Sequence, residues 1–279
     1  MSIVHNIINK RPLDFSRLNS FVSTIDGAMY ENRGENAFYY WIDRKSTRGL
    51  NITIEKDSIE VRNTVLSNAD DYELTNKIVT KILLETDGII FGEEGEQITN
   101  FPIFDDRKIR ETEIRDCEVV QTLMKERVVS IDGTNRKVHF GEHLYQHFKS
   151  FKREKLKNEM FDLILKVNYR IPNFEVGNIM LVGNSEDDDN PKRMKVLSND
   201  TDKIIDKYDY IVFPTSSEQL IMITNEILNS ILPPNWVLVD EYTIVAPVLE
   251  QSEWEKLLIN AKKYDLWETF INGKENASR

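Results

Sequence analysis

Apolar and polar residues alternate along two neighbouring segments near the start of the chain. Residues 50–54 and 59–65 place apolar side chains at about every second position, on either side of a Lys56–Asp57–Ser58 turn. Alternation with a period of two is typical of a strand with one buried face, so these residues predict a β-hairpin with one solvent-facing side. The preceding aromatic run, AFYYWI at 37–42, predicts a strand or another buried segment.

The repeat then changes to that of a helix over residues 67–88. Ser67 is a candidate N-cap with Asp70 three residues later, a variant of the capping box, and Gly88 stands where helices commonly end. An apolar stripe at helical spacing predicts that one face of this helix is buried. The stripe consists of Leu74, Ile78, Val79, Ile82 and Leu83.

The middle of the chain repeats these elements. Residues 102–126 predict a long, highly charged helix, and residues 127–140 predict a hairpin that turns at Asp132–Gly133. Residues 89–99 are compatible with a shorter hairpin, whereas 158–171 fit either a helix or a strand.

The last third begins with a predicted buried strand at 209–215, which ends at a proline. Residues 216–232 predict a helix with Thr215 and Glu218 as its capping box. Residues 236–247 predict a strand or a bent pair of strands. The final helix is expected to begin near Ser252, with Glu255 completing a second capping box.

This order of elements predicts an α+β fold, with a mainly antiparallel sheet built from hairpins and amphipathic helices packed on one face. The polar stretch GNSEDDDNPKR, 183–193, predicts a flexible loop. The loop would separate an N-terminal α+β region, 1–182, from a C-terminal α+β region, 194–279. A single domain interrupted by this loop is the alternative.

Composition narrows the choice of partner. The chain has 36 basic and 47 acidic side chains, a formal net charge of −11. Such a surface repels phosphate backbones, so nucleic acid is not expected to bind, whereas a basic protein would be attracted. Solubility alone would also account for the charge. The basic, phenylalanine-containing stretch 148–157 is the exception, and a helix with inward-facing phenylalanines is its simpler interpretation.

The cysteine content and hydropathy predict a soluble cytoplasmic protein. The single cysteine, Cys117, cannot form an intramolecular disulfide and is expected to be buried and structural. The first residues lack the apolar core of a signal peptide, and no segment approaches the roughly 20 apolar residues that span a bilayer.

The stretch HFGEHLYQH, residues 139–147, contains three of the four histidines. His143 and His147 are four residues apart, which on a helix places both imidazoles on one face, and His139 could supply a third nitrogen. Leu144 and Gln146, however, occupy the positions where hydrolytic zinc motifs need a glutamate. A short polar helix is therefore the preferred interpretation, and no metal ligand is assigned.

No other stretch carries a complete catalytic or cofactor motif. The acidic run Glu186–Asp189 lacks the alternating ligands and the glycine of a calcium loop. Nucleophile-elbow, dinucleotide-binding and P-loop patterns are absent from the sequence, so no catalytic residue and no cofactor is predicted. The aromatic residues are expected in the core or at sheet edges, and their joint exposure would mark a partner surface. These residues are Tyr39, Tyr40, Trp41, Trp236, Trp254 and Trp267.

Three segments together resemble an uncharacterised bacterial family known only as a domain of unknown function. They are STRGLNITIE (46–55), the stretch IEVRNTVLSNADDYELTNKIV (59–79) and ILPPNWVLVDEYTIVAP (231–247), with the Trp254 helix after them. The resemblance covers most of residues 40–270. It implies a bacterial source, and it carries no catalytic or binding residues.

Two main functional hypotheses remain open, and nucleic-acid binding through residues 148–157 is a weaker third. The first is a non-enzymatic binding or regulatory protein, for example an immunity-type protein whose acidic face docks on a basic partner. The second is an enzyme with a non-standard site, in which His139, His143 and His147 would hold a metal ion. The oligomeric state is not predicted.

Overall fold

The computed structural model divides the chain into two compact units, 1–170 and 171–279. The boundary predicted from the sequence was the loop at 183–193, most of which lies outside the described residues. The structure describes residues 2–56, 58–177, 179–182, 191–215 and 219–271.

The first unit is built on a six-stranded antiparallel sheet with strand order β2-β3-β4-β5-β1-β6. The predicted hairpin is confirmed, since β4 and β5 pair with Ile52 opposite Val61. The predicted turn residue Asp57 lies outside the described residues. The strands are β1 (Ser2–Ile8), β2 (Ala28–Gly34), β3 (Ala37–Ile42), β4 (Leu50–Ile54), β5 (Ser58–Thr64) and β6 (Ile89–Phe91).

Helices pack around this sheet, which confirms the α+β fold. The apolar stripe of the second helix, α2, is buried in one core with Ile52 and Val61 of the sheet. The second predicted hairpin is also confirmed, but its turn comprises residues 133–136, because Asp132 is still in the strand and pairs with Lys137. The helices are α1 (Phe15–Val22), α2 (Ala69–Thr86), α3 (Asp106–Leu123), α4 (Glu142–Phe148) and α5 (Arg153–Leu165). A π-helical turn (Lys166–Arg170) follows α5. The second hairpin comprises β7 (Val129–Asp132) and β8 (Lys137–Phe140).

Helix α2 begins one residue later than predicted. Its capping box is formed by Asn68 and Asp71, because the Ser67 hydroxyl donates instead to the Thr64 carbonyl oxygen at 2.8 Å. At the other end the left-handed residue is Asp87, with φ of 50°. Gly88 is needed for a different reason, since a Cβ there would lie 2.8 Å from Cγ2 of Ile7 on β1.

The carboxylate of Asp71 joins the start of α2 to the loop before β4. It is fully buried, and its Oδ2 accepts hydrogen bonds from the Thr47 hydroxyl and from the backbone N–H of Arg48 and Asn68, each at 3.0 Å. Its Oδ1 accepts from the Gly49 N–H at 2.9 Å. Burial raises the pKa of Asp71, and these hydrogen bonds act in the opposite direction because they favour the ionised form.

The end of the first unit is tied to the same loop. The Tyr169 hydroxyl accepts a hydrogen bond from Thr134 at 2.6 Å and donates one to the Ser46 carbonyl oxygen at 3.0 Å. Oδ1 of the adjacent Asn168 accepts from the backbone N–H groups of Asn135 and Arg136, at 2.8 and 3.0 Å. The π-helical turn therefore holds the β7–β8 turn by hydrogen bonds to its backbone.

The second unit contains two small sheets. One has the order β13-β12-β10-β9, in which β10 and β12 are parallel, and the other has the order β11-β15-β14. Phe213 and Trp254 pack together in its main core. The strands are β9 (Ile179–Val182), β10 (Lys192–Val196), β11 (Lys203–Ile205), β12 (Tyr210–Pro214), β13 (Leu220–Ile223), β14 (Val237–Leu238) and β15 (Ile244–Ala246), and the helices are α6 (Asn225–Ser230) and α7 (Gln251–Lys262).

The helix predicted over 216–232 is wrong. Its first half contains strand β13, which pairs antiparallel with β12 and places Ile221 opposite Phe213. The helix is only α6, and its N-cap is Thr224 rather than Thr215, while Glu218 lies outside the described residues. A strand followed directly by a short helix can place apolar residues at nearly the same spacing as one longer helix. Pairing with β12 favours the strand at Leu220–Ile223.

The C-terminal part of the second unit differs from its prediction mainly at the start of the final helix. The final helix starts at Gln251 with Glu250 at the cap position and no capping side chain, so the predicted Ser252 cap is also wrong. Residues 236–247 form the bent pair of strands β14 and β15. The tail from residue 272 onwards lies outside the described residues.

Replacing Asp71 is expected to destabilise the first unit strongly. In Asp71→Asn the amide group would face buried N–H donors, so we expect the free energy of unfolding to fall by about 3 kcal/mol. Glu73→Gln is the matched control, since Glu73 is exposed on the same helix, and a change within about 0.5 kcal/mol is expected there. Urea unfolding of both variants measures the difference, and equal losses would contradict the role given to Asp71.

Candidate functional site

The three histidines of HFGEHLYQH occupy different environments. His139 is buried on β8, and its Nδ1 lies 2.7 Å from the Ser130 hydroxyl, whereas His143 and His147 are exposed on α4. The His147 ring packs edge-on against Phe148 and Phe151. Across the part of the chain that the structure describes, no three His, Cys, Asp or Glu side chains are placed to hold a metal ion.

The basic stretch 148–157 is engaged only in part within the fold, since Lys149, Lys152 and Arg153 are exposed. Phe148 is buried, and Lys155 lies over the ring of Phe151 at 3.8 Å. Lys157 pairs with Glu113 at 3.4 Å and with Glu154 at 3.1 Å. These contacts neutralise part of the positive charge locally.

Several smaller predictions have clear outcomes. Cys117 is fully buried, and burial raises the pKa of its thiol, in agreement with a structural role. The acidic run 186–189 lies outside the described residues. Tyr39, Tyr40, Trp236 and Trp254 are buried as expected for core residues, whereas Trp41 and Trp267 are partly exposed. No helix in the described ranges is long and apolar enough to cross a membrane.

The first unit contains a cleft of about 640 Å³ between the sheet and α3. At its base Asp116 is 4% exposed, accepts a hydrogen bond from the Leu66 N–H at 3.1 Å, and has its pKa raised by burial. Arg115 lies 3.5 Å from the same carboxylate. Glu93, Lys108 and Glu111 also line the cleft, so charges of both signs surround a carboxyl group that takes up a proton readily.

The second unit presents exposed carboxylates next to exposed apolar side chains. We call this surface the acidic patch and define it by Glu175, Asp200, Asp202, Glu250, Val176 and Val248. Val176 and Val248 are 43% and 46% exposed. The patch therefore combines charge with an apolar component, as the sequence hypothesis of an acidic partner-binding face requires.

Hydrogen bonds hold the segments of the acidic patch together. Oδ1 of Asp202 accepts from the Val248 N–H at 2.8 Å. The Asn199 side chain bonds both the N–H and the carbonyl oxygen of Leu249, each at 2.8 Å. The Ile204 N–H donates to the Glu175 carbonyl oxygen at 2.9 Å. These loops are consequently fixed relative to one another, which lowers the entropy lost when a partner binds.

Two buried lysines lie next to the acidic patch. Nζ of Lys203 donates to Asp200 and to oxygens of Ser198 and Thr201. Lys195 is fully buried, and its Nζ has no hydrogen-bond partner among the described residues. Burial and the nearby Lys203 lower the pKa of Lys195 to about 8. Gly177, which follows Val176, lies beside this Nζ, and its φ of +65° is a conformation that favours glycine.

The sequence did not reveal this surface. Its acidic residues come from three separate segments around positions 175, 200 and 250, and none of them forms a motif. The burial of Lys195 could not be predicted from the sequence either, because a lysine in a strand is ordinarily expected to face solvent.

Comparison with known proteins does not identify a relative, since no family model, curated protein or solved structure matches the chain. The bacterial family resemblance thus stays a prediction. The structure nonetheless explains two of the segments that suggested it, because STRG at 46–49 and DYEL at 71–74 are joined through the Asp71 carboxylate.

The two lysines are expected to affect stability in opposite directions. The unfolded chain keeps the Lys195 proton up to a pKa near 10.5 and the folded chain only to about 8, so native stability should rise between these pH values. Lys195→Met should remove this rise and increase the free energy of unfolding at pH 7 by about 1–3 kcal/mol. Lys203→Met should lower it, because the carbonyl oxygens of Ser198 and Thr201 and the Asp200 carboxylate lose their common donor. Urea unfolding from pH 7 to 10.5 tests both, and destabilisation by Lys195→Met at pH 7 would refute the assignment.

Proposed function

We propose that this chain is a non-enzymatic binding protein of the regulatory or immunity type, acting in the bacterial cytoplasm and docking on a basic protein through the acidic patch. The observation that carries the proposal is the meeting of exposed carboxylates and exposed valines on loops that hydrogen bonds hold in place. Electrostatic attraction would speed the encounter, and burial of the valines would slow dissociation.

The distribution of charge between the two units supports this choice. The second unit has 10 basic and 19 acidic residues, a net charge of −9, whereas the first has 26 basic and 28 acidic residues, a net charge of −2. A field concentrated on one unit directs a basic partner to that unit. Solubility alone would not require this asymmetry.

The enzymatic alternative receives less support from the geometry. His139 is buried on β8 and bonded to Ser130, while His143 and His147 point outward from α4, so the three imidazoles do not converge. The cleft around Asp116 can accept a small polar molecule, but its arrangement does not specify a reaction.

The binding proposal can be tested by capture from a lysate of the native host at physiological salt. The immobilised chain is compared with the triple variant Glu175→Gln/Asp202→Asn/Glu250→Gln, in which each carboxylate becomes an amide of the same shape. We expect the native chain to retain one basic protein at a stoichiometric ratio, and the triple variant to retain at least about tenfold less, a loss of about 1.4 kcal/mol.

The matched control is Glu226→Gln/Glu255→Gln/Glu268→Gln, which removes three exposed charges from the same unit outside the patch. It should retain the partner, and binding of the native chain should weaken as salt is raised. The proposal fails if no basic protein is retained at a stoichiometric ratio, or if the two triple variants lose it equally.

A further inference from the structure

The cleft between the sheet and α3 has the size of a small-molecule site. Its volume of about 640 Å³ lies within the range of about 300–1,000 Å³ that ligand pockets commonly have. Its walls are the start of β1, the end of β5, the first turn of α2 and one face of α3. Polar residues make up most of the lining, and Tyr72 and Thr112 among them are only 1% and 5% exposed. A ligand that brings polar groups of its own is therefore the better match for this cleft.

Two neighbouring residues of α3 bring opposite charges together at the base of the cleft. The Asp116 carboxylate is 4% exposed, and the hydrogen bond that its Oδ2 accepts from the Leu66 N–H fixes its position. Nη2 of Arg115 lies 3.5 Å from Oδ1 of the same carboxylate, and the Arg115 side chain is 56% exposed. This separation is longer than that of a charge-assisted hydrogen bond, so both groups can still bind a ligand.

An α-amino acid carries the complementary charges at a fixed and similar spacing. Its ammonium nitrogen and carboxylate carbon are about 2.5 Å apart, because both are bonded to the same carbon atom. A guanidinium group binds a carboxylate through two parallel hydrogen bonds, and a buried carboxylate gains from a cation that replaces its lost hydration. Arg115 and Asp116 can therefore satisfy both charges of such a ligand at once.

Tyr72 supplies a further polar group close to Asp116. Its ring packs against Phe104 with the ring centroids 4.6 Å apart, which restricts its orientation. Burial and the nearby Asp116 carboxylate raise the pKa of Tyr72, so its hydroxyl keeps its proton and can donate a hydrogen bond. Such a donor adds to the recognition of a ligand carboxylate.

The other end of the cleft favours a polar side chain on the ligand. Lys108 precedes Arg115 by two turns of α3, which is about 10 Å along the helix axis. Its Nζ donates to the Ile103 carbonyl oxygen at 3.0 Å, and Glu93 accepts a hydrogen bond from the Val4 N–H at 2.9 Å. An apolar ligand side chain would displace water from these charged groups without replacing its hydrogen bonds.

We propose that the cleft binds a free α-amino acid with a polar side chain, whose carboxylate pairs with Arg115 and whose ammonium group pairs with Asp116. Tyr72 donates to the same carboxylate, and the ligand side chain extends along α3 toward Lys108 and Glu93. A ligand this small is expected to bind with a dissociation constant on the order of 100 µM. This inference concerns the first unit and does not depend on the acidic patch.

Isothermal titration of the full chain with each polar proteinogenic amino acid, up to about 5 mM, tests the proposal well above that dissociation constant. At least one of them should bind at a ratio of one to one. Its derivatives that lack only the α-carboxylate or only the α-amino group should bind at least tenfold more weakly, because each loses one charged contact. The proposal is overturned if no polar amino acid binds, or if either derivative binds as well as the parent.

Substitution of Arg115 locates the binding within the cleft. Arg115→Gln should weaken the affinity for the amino acid at least tenfold, because the carboxylate loses its cation. Arg127→Gln is the matched control, since Arg127 is exposed and does not line the cleft, and it should bind as the native chain does. Circular dichroism confirms that both variants are folded. Equal affinities of Arg115→Gln and the native chain would place the ligand elsewhere and contradict the assignment.

Discussion

The buried Asp71 carboxylate is the interaction on which the first unit depends most. A charged group without solvent is tolerated only when hydrogen bonds replace its hydration, and here backbone N–H groups from the loop and from the start of α2 do so. The loop at 46–49 has few alternative conformations once these bonds form. Gly49 is required there, because its φ is +59° and a Cβ would lie 2.4 Å from the Tyr40 carbonyl oxygen. One side chain thus fixes a helix start, a loop and the entry to β4.

Local patterns predicted most of the fold of the first unit. The β4–β5 hairpin, α2 and the β7–β8 hairpin each bury a face that is visible in short stretches of sequence. Prediction failed where pairing with another strand determines the secondary structure, as at Leu220–Ile223, which pair with β12. The cap of α2 was missed by one residue because Ser67 bonds Thr64. The acidic patch could not be predicted, since only folding brings residues near 175, 200 and 250 together.

The two units differ in which of their charged side chains are paired, exposed or buried. The first unit pairs Lys157 of α5 with Glu113 on the neighbouring helix α3 and with Glu154 one turn earlier on α5 itself. The second leaves carboxylates exposed and buries two lysines, of which Lys195 has no acceptor among the described residues. The buried lysines reduce the net negative charge seen from a distance, whereas close to the surface the exposed carboxylates dominate because they lie nearer to a partner.

The hydrogen bond between Tyr169 and Ser46 has a consequence for synthesis of the chain. It joins residues 123 positions apart, and its donor stands at the very end of the first unit. A ribosome delivers residues in order, so the sheet and α2 emerge long before Tyr169 does. Until Asn168 and Tyr169 have emerged, the Ser46 carbonyl oxygen and the β7–β8 turn lack their hydrogen-bond partners. Its native state is therefore completed only when the last few residues leave the exit tunnel, and a fragment cut before Asn168 would lack these closing contacts.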